Sequence, residues 1–404
     1  MKSLSLLLPL VCLAAASPVV LDQHAFQYSA TEPGYHLDLD AQRLVQTEGQ
    51  APVWMTELDK IKLKAQGAKF FDITDSQDLE SFAFARIHRK SSYPSPNATE
   101  KVKPILRTLS TKGPKENLEK FSSFRTRYYR SDTGKQSQQW LLSKISEITD
   151  VWGSASLRTR ISFTEFAHSW GQNSIIVRIN GTEASEDVII ISAHQDSTNM
   201  WPFLPAPGAD DDGSGSVTIL ESYRALLNAD FHPKKTLEFH WYSAEEGGLL
   251  GSQAVARDYA SQAVNVIAMS QFDMTAWVKR GTREEVGIIT DYVDAELTLF
   301  NKALVETYLD IPYVETACGY ACSDHASWGK AGYPSAFTIE STFENSNKNI
   351  HSTNECALLL YSRSSFSWVT ISRIDISDEF SFTHMLEFSK LAVAFAVELG
   401  GWSS

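Results

Sequence analysis

Long apolar runs that alternate with amphipathic stretches dominate the chain from about residue 170 onward. Val188 to Ile191 form an unbroken β-branched run, which predicts a strand buried on both faces. Further strands are predicted at 174–179, 236–242, 264–272, 285–290 and 335–339, and helices after Ser216 and at 249–261, 294–309 and 384–399. This alternation predicts an α/β fold of three layers, with a mixed but mainly parallel central sheet flanked by helices. The turn at Asn180 and Gly181 predicts one antiparallel hairpin, between 174–179 and 188–192.

The predicted strand at 188–192 leads into His194, Gln195 and Asp196, so an imidazole and a carboxylate follow a buried strand. Open α/β sheets place their functional sites at this carboxyl edge. The segment 208–215 then brings three consecutive aspartates among glycines, directly before a helical pattern. A solvated helix N-cap would explain a lone acidic turn. The nearby histidine and the glycines, which allow close backbone packing, favour a metal site instead.

Three more apolar elements end in residues with oxygen or nitrogen ligands. The strand at 236–242 leads into Glu245 and Glu246, the strand at 264–272 leads into Asp273, and Ile350 precedes His351. Each of these residues alone would be an ordinary polar residue at the protein surface. Four such endings at one edge of a sheet predict a shared site.

The first 90 residues carry features of export and processing. Residues 1–17 combine a charged start, a short apolar stretch and a small-residue end, which predicts a signal peptide. Residues 18–90 are polar and mixed, and they end in the basic stretch 86–90. We interpret 18–90 as a removable pro-segment and 91–404 as the catalytic domain. The alternative is a small accessory lobe that stays attached.

The charge of the chain argues against several partners. The 404 residues carry a formal net charge of −13, with no run of lysine or arginine, which disfavours nucleic acid and anionic membranes. After the signal peptide, no stretch is apolar for the roughly 20 residues that a transmembrane helix needs. We therefore expect a secreted, extracellular monomer. Sequons at Asn97 and Asn180 are candidate glycosylation sites on that route.

Four cysteines are present, and Cys12 would leave with the signal peptide. Cys318 and Cys322 are close enough for a tight-loop disulfide in an oxidising compartment. Half of a zinc site is the alternative for this pair, but the chain offers no second pair. Cys356 remains without a partner.

The motifs around these residues resemble those of a known enzyme family. The segments that carry the likeness are 194–197, 208–212, 244–247, 273–275, 318–325 and 350–353. In order and spacing, from about Tyr93 to the end, they resemble the secreted di-zinc leucine aminopeptidases of the M28 peptidase family, most of all its fungal, propeptide-bearing branch. The resemblance implies a zinc-exopeptidase fold.

The resemblance also implies the ligands of two Zn²⁺ ions. His194 and Glu246 match ligands of one ion, and Asp273 and His351 match ligands of the other. Asp211, the middle aspartate, matches the carboxylate that bridges both. Imidazole and carboxylate are ligands that zinc takes, and a bridging carboxylate suits two cations about 3.5–4 Å apart.

Three further residues match catalytic positions. Asp196 matches the carboxylate that orients His194, and two residues along a strand would place both on one face. Glu245 matches the general base that acts on a water held between the metals. Tyr320 matches a hydrogen-bond donor to the tetrahedral intermediate. The run Ser323-Asp324-His325 does not indicate a serine hydrolase, because consecutive residues cannot form a triad and no nucleophile-elbow motif is present.

Six residues match the apolar pocket that favours leucine-like N-terminal side chains: Met274, Ile289, Phe337, Ile339, Phe343 and Ile350. The predicted function is thus a secreted metalloaminopeptidase that acts on peptides with a free N-terminus. Two alternatives remain open. A glutaminyl-cyclase-like acyltransferase shares the fold but works with one zinc ion. A catalytically silent ectodomain would lack a ligand or the base, and none is missing here.

Residues 356–372 depart from the family pattern. About 17 residues intervene where relatives continue almost at once, and they include Cys356 and a run of three leucines. This stretch is either a surface insertion or translated intron.

Overall fold

The computed structural model describes residues 33–86, 92–353 and 379–403, together with a short strand pair at 358–359 and 374–375. The predicted signal peptide, residues 87–90 of the basic stretch, Cys12 and Cys356 lie outside the described residues. Among the described helices, none combines the length and apolar character needed to cross a membrane.

One eight-stranded mixed sheet forms the centre of the protein. Its strands are β4 (Ile161–Phe166), β5 (Ser174–Ile179), β6 (Asp187–His194), β7 (Thr236–Tyr242), β8 (Asn265–Phe272), β9 (Val286–Ile289), β10 (Tyr313–Thr316) and β11 (Ser335–Ile339). Their order is β10-β9-β11-β8-β6-β7-β5-β4. The four inner strands β11, β8, β6 and β7 run parallel, which confirms the predicted fold class.

The hairpin predicted at Asn180 and Gly181 is wrong. Strand β5 pairs antiparallel with β7, and β7 pairs parallel with β6, so β7 lies between the two expected partners. The physical reason is the connection of seven residues, 180–186, which is long enough to cross over a neighbouring strand. A two-residue hairpin turn would have forced adjacency.

Helices cover both faces of the sheet. They are α2 (Thr99–Leu106), α3 (Lys112–Phe121), α4 (Asp132–Trp152), α5 (Ala155–Arg158), α6 (Gly215–Asn228), α7 (Leu250–Ser261), α8 (Ala295–Tyr308), α9 (His325–Lys330) and α10 (Phe382–Gly400). Ile189 and Ile191 of β6 pack into the core formed with α6 and α10. Val188 and Ile190 point to the opposite side, into the core formed with α7 and α9. Because both faces are covered, β6 is apolar without alternation.

Residues 33–86 form a smaller unit against the large sheet, and we call it the N-terminal segment. It contains β1 (Gln42–Thr47), β2 (Val53–Thr56), helix α1 (Glu57–Ala65), β3 (Phe70–Asp72) and a short 3₁₀ helix (Leu79–Ala85). The three strands are antiparallel in the order β2-β1-β3. Asp72 is fully buried and pairs with Arg43 Nε at 2.7 Å and Lys60 Nζ at 2.9 Å. Removal of one partner from such a buried network would leave a buried charge without a counter-charge. The network therefore stabilises one arrangement of the segment.

Within the atypical stretch 356–372, the structure describes only the residues of one short strand. Leu358–Leu359 (β12) pairs antiparallel with Ile374–Asp375 (β13). The remainder of the stretch lies outside the described residues.

Candidate metal centre

The sheet order brings the predicted ligands to one edge. Strand β6 ends at His194, and Asp273 directly follows its neighbour β8. On the other side of β6, β7 ends at Tyr242, and Glu246 lies in the loop that follows. Since β8, β6 and β7 are parallel neighbours, their carboxyl ends converge.

Two clusters of ligand atoms share Asp211. In the first, His194 Nε2 lies 3.0 Å from Asp211 Oδ1 and 3.6 Å from Asp273 Oδ1. In the second, His351 Nε2 lies 3.0 Å from Asp211 Oδ2 and 2.9 Å from Glu246 Oε2. Within each cluster, the ligand atoms all lie within 4.8 Å of one another. Asp211 thus presents one oxygen to each cluster.

This grouping corrects the pairing that the resemblance implies. His194 belongs with Asp273, rather than with Glu246, and Glu246 belongs with His351. Strand β6 has a neighbouring strand on each side that is followed by a candidate ligand. The order of residues in the sequence therefore does not indicate which of these ligands lies closer to His194. The membership of the five-residue set is unchanged.

The donor chemistry of these residues fits a metal. His194 Nδ1 donates to the backbone oxygen of Asp196 at 3.1 Å, which leaves Nε2 as the nitrogen with a free lone pair. Among the described residues, His194 Nε2 and Glu246 Oε1 are buried and have no hydrogen-bond partner. Burial disfavours the charged form of Asp211, but the neighbouring imidazoles of His194 and His351 outweigh this effect and hold its pKa well below the usual range. The Asp211 carboxylate is therefore available as an anion to a metal in either cluster.

Asp196 lies beside its predicted partner, His194, and also contacts the loop that follows β7. Strand β6 ends at His194, so Asp196 lies in the following loop rather than on the same strand face. Its carboxylate oxygens accept hydrogen bonds from the backbone N–H groups of Glu245 at 3.0 Å and Glu246 at 3.2 Å. Its Oδ1 lies 3.6 Å from His194 Nδ1. The side chain of Asp196 therefore contacts His194 and also positions the loop that carries the predicted base.

Asp212 is a positioning residue that the sequence argument missed. Its carboxylate accepts hydrogen bonds from the backbone N–H groups of His194, Gly215 and Met274 at 2.8–3.1 Å. A Cβ atom on Gly215 would lie 2.2 Å from Asp212 Oδ1, so only glycine allows this approach. Asp212 thereby joins the segments of three ligands, although it was visible in the sequence only as one of three acidic neighbours.

Ser323 has a role that the sequence argument also missed. Its hydroxyl donates to Asp273 Oδ2 at 2.5 Å, which leaves Oδ1 directed at His194. His325 makes no hydrogen bond through either buried ring nitrogen, so Ser323, Asp324 and His325 form no triad in the described structure. The absence of a triad agrees with the sequence argument. The signal for Ser323 was its place within the matched segment 318–325.

Glu245 lies next to the two clusters in a half-buried position. Burial raises the pKa of its carboxyl well above the usual range, and repulsion from Glu246 adds to the shift, while His194 opposes it. For Glu246, His351 and Lys64 outweigh the effect of burial and lower the pKa to about 2. Adjacent carboxyls with opposite shifts are suited to different tasks, one to proton transfer and the other to holding a cation.

Tyr320 lies on the loop closed by the disulfide between Cys318 and Cys322, which is formed in the structure. Burial raises the pKa of its hydroxyl, and the negative charges of Glu245 and Asp211 raise it further. The hydroxyl therefore stays protonated and can donate a hydrogen bond. Its ring contacts Phe343 edge-on at 6.3 Å between centroids.

The six residues predicted to line a side-chain pocket come together in one apolar cluster. Met274, Ile289, Phe337 and Ile339 are buried, and Phe343 and Ile350 pack against them. Val293 and both disulfide cysteines complete the cluster. Because Met274 follows Asp273 and Ile350 precedes His351, the cluster adjoins both ligand groups.

The backbone is strained where it turns into the site. Ala244, Met274 and His351 have φ values of 57–58°, a region that residues other than glycine rarely adopt. Ala244 precedes the base, Met274 follows one ligand, and His351 is itself a ligand. Such positions cost on the order of 1–3 kcal/mol each and persist where surrounding contacts enforce them.

The N-terminal segment reaches the same site with two lysines. Lys64 Nζ, on α1, donates to Glu246 Oε2 at 2.6 Å and to its backbone oxygen at 2.7 Å. Lys69 Nζ lies 5.0 Å from the centre of the Tyr320 ring. Next to them, Lys60 Nζ donates to the backbone oxygen of Gly247 at 3.3 Å. The segment therefore contacts both a candidate ligand and the candidate oxyanion donor.

Comparison with known proteins agrees with this architecture. The sequence profile of Peptidase family M28 matches residues 174–357. Leucine aminopeptidase 1 of Colletotrichum graminicola is 48% identical over 358 residues, which cover 86% of this chain and 83% of that protein. The chain therefore belongs to peptidase family M28.

Two further proteins are similar to this chain over most of its length. Leucine aminopeptidase 1 of Neurospora crassa is 46% identical over 357 residues, which cover 86% of this chain and 82% of that protein. The crystal structure of the Legionella pneumophila LapA aminopeptidase has a TM-score of 0.73 and 27% identity, covering 90% of this chain and 99% of that one.

Proposed function

We propose that this protein is a secreted aminopeptidase that removes N-terminal residues with leucine-like side chains by using two zinc ions. The observation that carries the proposal is the pair of ligand clusters joined by Asp211, with Glu245 and an apolar cluster beside them. The names of the relatives that match most of the chain support the reaction and the leucine preference.

Five residues would hold the metals: His194, Asp211 and Asp273 for one ion, and Asp211, Glu246 and His351 for the other. Two imidazoles and three carboxylates form a set that zinc accepts. Bound zinc would supply Lewis-acid polarisation of the scissile carbonyl and acidify a water molecule.

Glu245 is the residue that moves the proton. Its raised pKa makes Glu245 a stronger base than an ordinary carboxylate. The carboxylate of Asp196, in the loop after β6, accepts a hydrogen bond from the backbone N–H of Glu245 and so fixes its position. A carboxylate here takes a proton from the attacking water and returns it to the leaving amine. Tyr320, protonated over the working pH range, donates a hydrogen bond to the developing oxyanion.

The apolar cluster and the acidic surroundings select the substrate. An apolar side chain gains about 0.8 kcal/mol for each methylene that it buries in the pocket, which favours leucine-like residues without excluding smaller ones. The concentrated carboxylates attract a protonated N-terminal amine. A peptide with a blocked N-terminus lacks that charge and is disfavoured.

We further propose that the N-terminal segment restrains the enzyme before processing. Lys64 and Lys69 contact Glu246 and Tyr320, so the segment stands where substrate must approach. Secretion itself rests on the sequence features of residues 1–17. Both sequon asparagines, Asn97 and Asn180, are exposed and accessible to glycosylation.

A direct test is hydrolysis of leucine p-nitroanilide by the purified, processed protein, with and without a chelator. We expect turnover that the chelator abolishes and zinc restores, and little turnover of the N-acetylated substrate. Formation of pyroglutamate from an N-terminal glutamine peptide, with one zinc per chain, would instead favour the cyclase alternative. A protein that binds zinc but acts on neither substrate would support the silent ectodomain.

A further inference from the structure

A group of buried polar side chains lies between the loops that carry the metal ligands. Asp210 and Glu340 are each 1% exposed, and Asn347 is 5% exposed. None of the three is a candidate ligand, and none was assigned a role from the sequence. Buried polar groups at such depth cost free energy unless they are hydrogen-bonded, so their partners indicate what they hold.

The partners of Glu340 come from two different loops. Its Oε2 accepts from the backbone N–H of Trp277 at 2.8 Å, in the segment that follows Asp273. Its Oε1 accepts from the backbone N–H of Asn347 at 2.7 Å, in the segment that leads to His351. One carboxylate thus ties together the approaches to two ligands that belong to different clusters.

Asp210 connects the same two loops to the bridging ligand. It directly precedes Asp211, and its Oδ1 accepts from the backbone N–H of Ala276 at 3.3 Å. Its Oδ2 accepts from Asn347 Nδ2 at 3.0 Å. Asn347 Oδ1 in turn accepts from the backbone N–H of Asn349, two residues before His351.

Asn347 connects the two carboxyl groups. Its backbone N–H donates to Glu340 Oε1, and its side-chain Nδ2 donates to Asp210 Oδ2. The three side chains are therefore joined into one group by hydrogen bonds that reach all three loops.

We propose that Asp210, Glu340 and Asn347 form a positioning unit that holds Asp211, Asp273 and His351 at the separation two metal ions require. Each of these ligands comes from a different loop, and the unit connects the three loops. The inference rests on the proposed metal centre. Groups behind a metal ligand alter metal affinity typically 10- to 100-fold, and we expect an effect of that size here.

The test compares Glu340→Gln with Glu238→Gln in the full chain. Glutamine has nearly the same size as Glu340, but an NH₂ group replaces one of the two carboxylate oxygens. That group is a donor and cannot accept the hydrogen bond from a backbone N–H. Glu238 is equally buried in β7 and is bonded to Arg178, His240 and Tyr259, so its variant controls for the loss of any buried carboxyl. Zn²⁺ affinity is measured by competition with a chromophoric chelator, and the visible spectrum of the Co²⁺-loaded protein reports coordination geometry.

We expect Glu340→Gln to weaken Zn²⁺ binding about 10- to 100-fold and to alter the Co²⁺ spectrum, while its metal-free form melts near the metal-free Glu238→Gln protein. A second variant, Asn347→Ala, should likewise weaken Zn²⁺ binding, because it releases the loop of His351 while Glu340 stays in place. Wild-type affinity and spectrum in both variants would overturn the positioning unit, and so would equal losses in Glu238→Gln. If the wild-type chain itself bound no Zn²⁺, the proposed function would fail before this comparison.

Discussion

Replacement of Lys64 by methionine is the sharpest test of restraint by the N-terminal segment. The variant is made in the full-length chain, with Arg89 and Lys90 changed to serine so that the predicted basic processing site is lost. Methionine keeps much of the length and apolar stem of lysine but removes the ammonium group. The two hydrogen bonds from Lys64 Nζ to Glu246 are then absent.

The size of the effect follows from the geometry. Hydrogen bonds to charged groups contribute about 1.5–3 kcal/mol, and the Lys64 side chain is only 19% exposed, so solvent screens the contact little. We assume that substrate enters only when the N-terminal segment has detached. The lost binding free energy then raises the fraction of molecules with a detached segment, and activity rises by the same factor. At about 1.4 kcal/mol for each factor of ten, the unprocessed variant should be about 10- to 150-fold more active than the unprocessed parent.

The matched control is Lys62→Met, on the same helix. Lys62 is 36% exposed and pairs with Asp59, which is 54% exposed. Surface pairs of this kind contribute about 0–1 kcal/mol, so the control should change activity less than about fivefold. The assay is kcat/KM on leucine p-nitroanilide, with zinc content measured in each sample because Lys64 touches a candidate ligand. Equal activities for the two variants, or a parent precursor as active as the trimmed enzyme, would refute the reasoning.

Three further outcomes are expected. Glu245→Gln should retain both zinc ions, by elemental analysis, yet lower kcat by about 10²–10⁴-fold, because only proton transfer is removed; near-normal turnover would exclude Glu245 as the base. Asp211→Ala should lose both ions together, and retention of two tightly bound ions would show that Asp211 is not the bridge. Burial lowers the pKa of His325 to about 3, below its unfolded value near 6.5, so its contribution to stability is present above pH 6.5 and is lost as pH falls toward 3. His325→Phe should therefore flatten the pH dependence of urea unfolding by about 1.4 kcal/mol per pH unit between pH 6 and 4, and an unchanged slope would contradict this account.

The central strands and the ligand set could be read from sequence because their signals are local. The strand at 236–242 was predicted with its observed bounds, and β6 was visible as an apolar run that ends near His194. A buried strand is recognisable from its apolar, β-branched composition. A candidate ligand is recognisable because it directly follows such a strand. Spatial pairing carries no such local signal, so the pairing of His194 with Glu246 was wrong.

Residues that act through a partner were harder to find. Asp212, Ser323 and Glu340 make contacts with segments 50 or more residues away in sequence, and nothing near them indicates the partner. The contact of Lys64 with Glu246 spans 182 positions and was equally invisible. The hairpin was mispredicted for a related reason, since a turn motif does not reveal which strand will come between its flanks.

The scattered origin of the ligands has a consequence for how the protein folds. The five candidate ligands span residues 194 to 351, and they meet only after the parallel strands β8, β6 and β7 have paired across long loops. Pairings of such high contact order form slowly, and the second cluster is complete only when His351 joins Asp211 and Glu246. Metal uptake would therefore be a late event in folding. The rate at which a refolding chain takes Zn²⁺ from a coloured indicator would therefore report the rate at which the central strands pair.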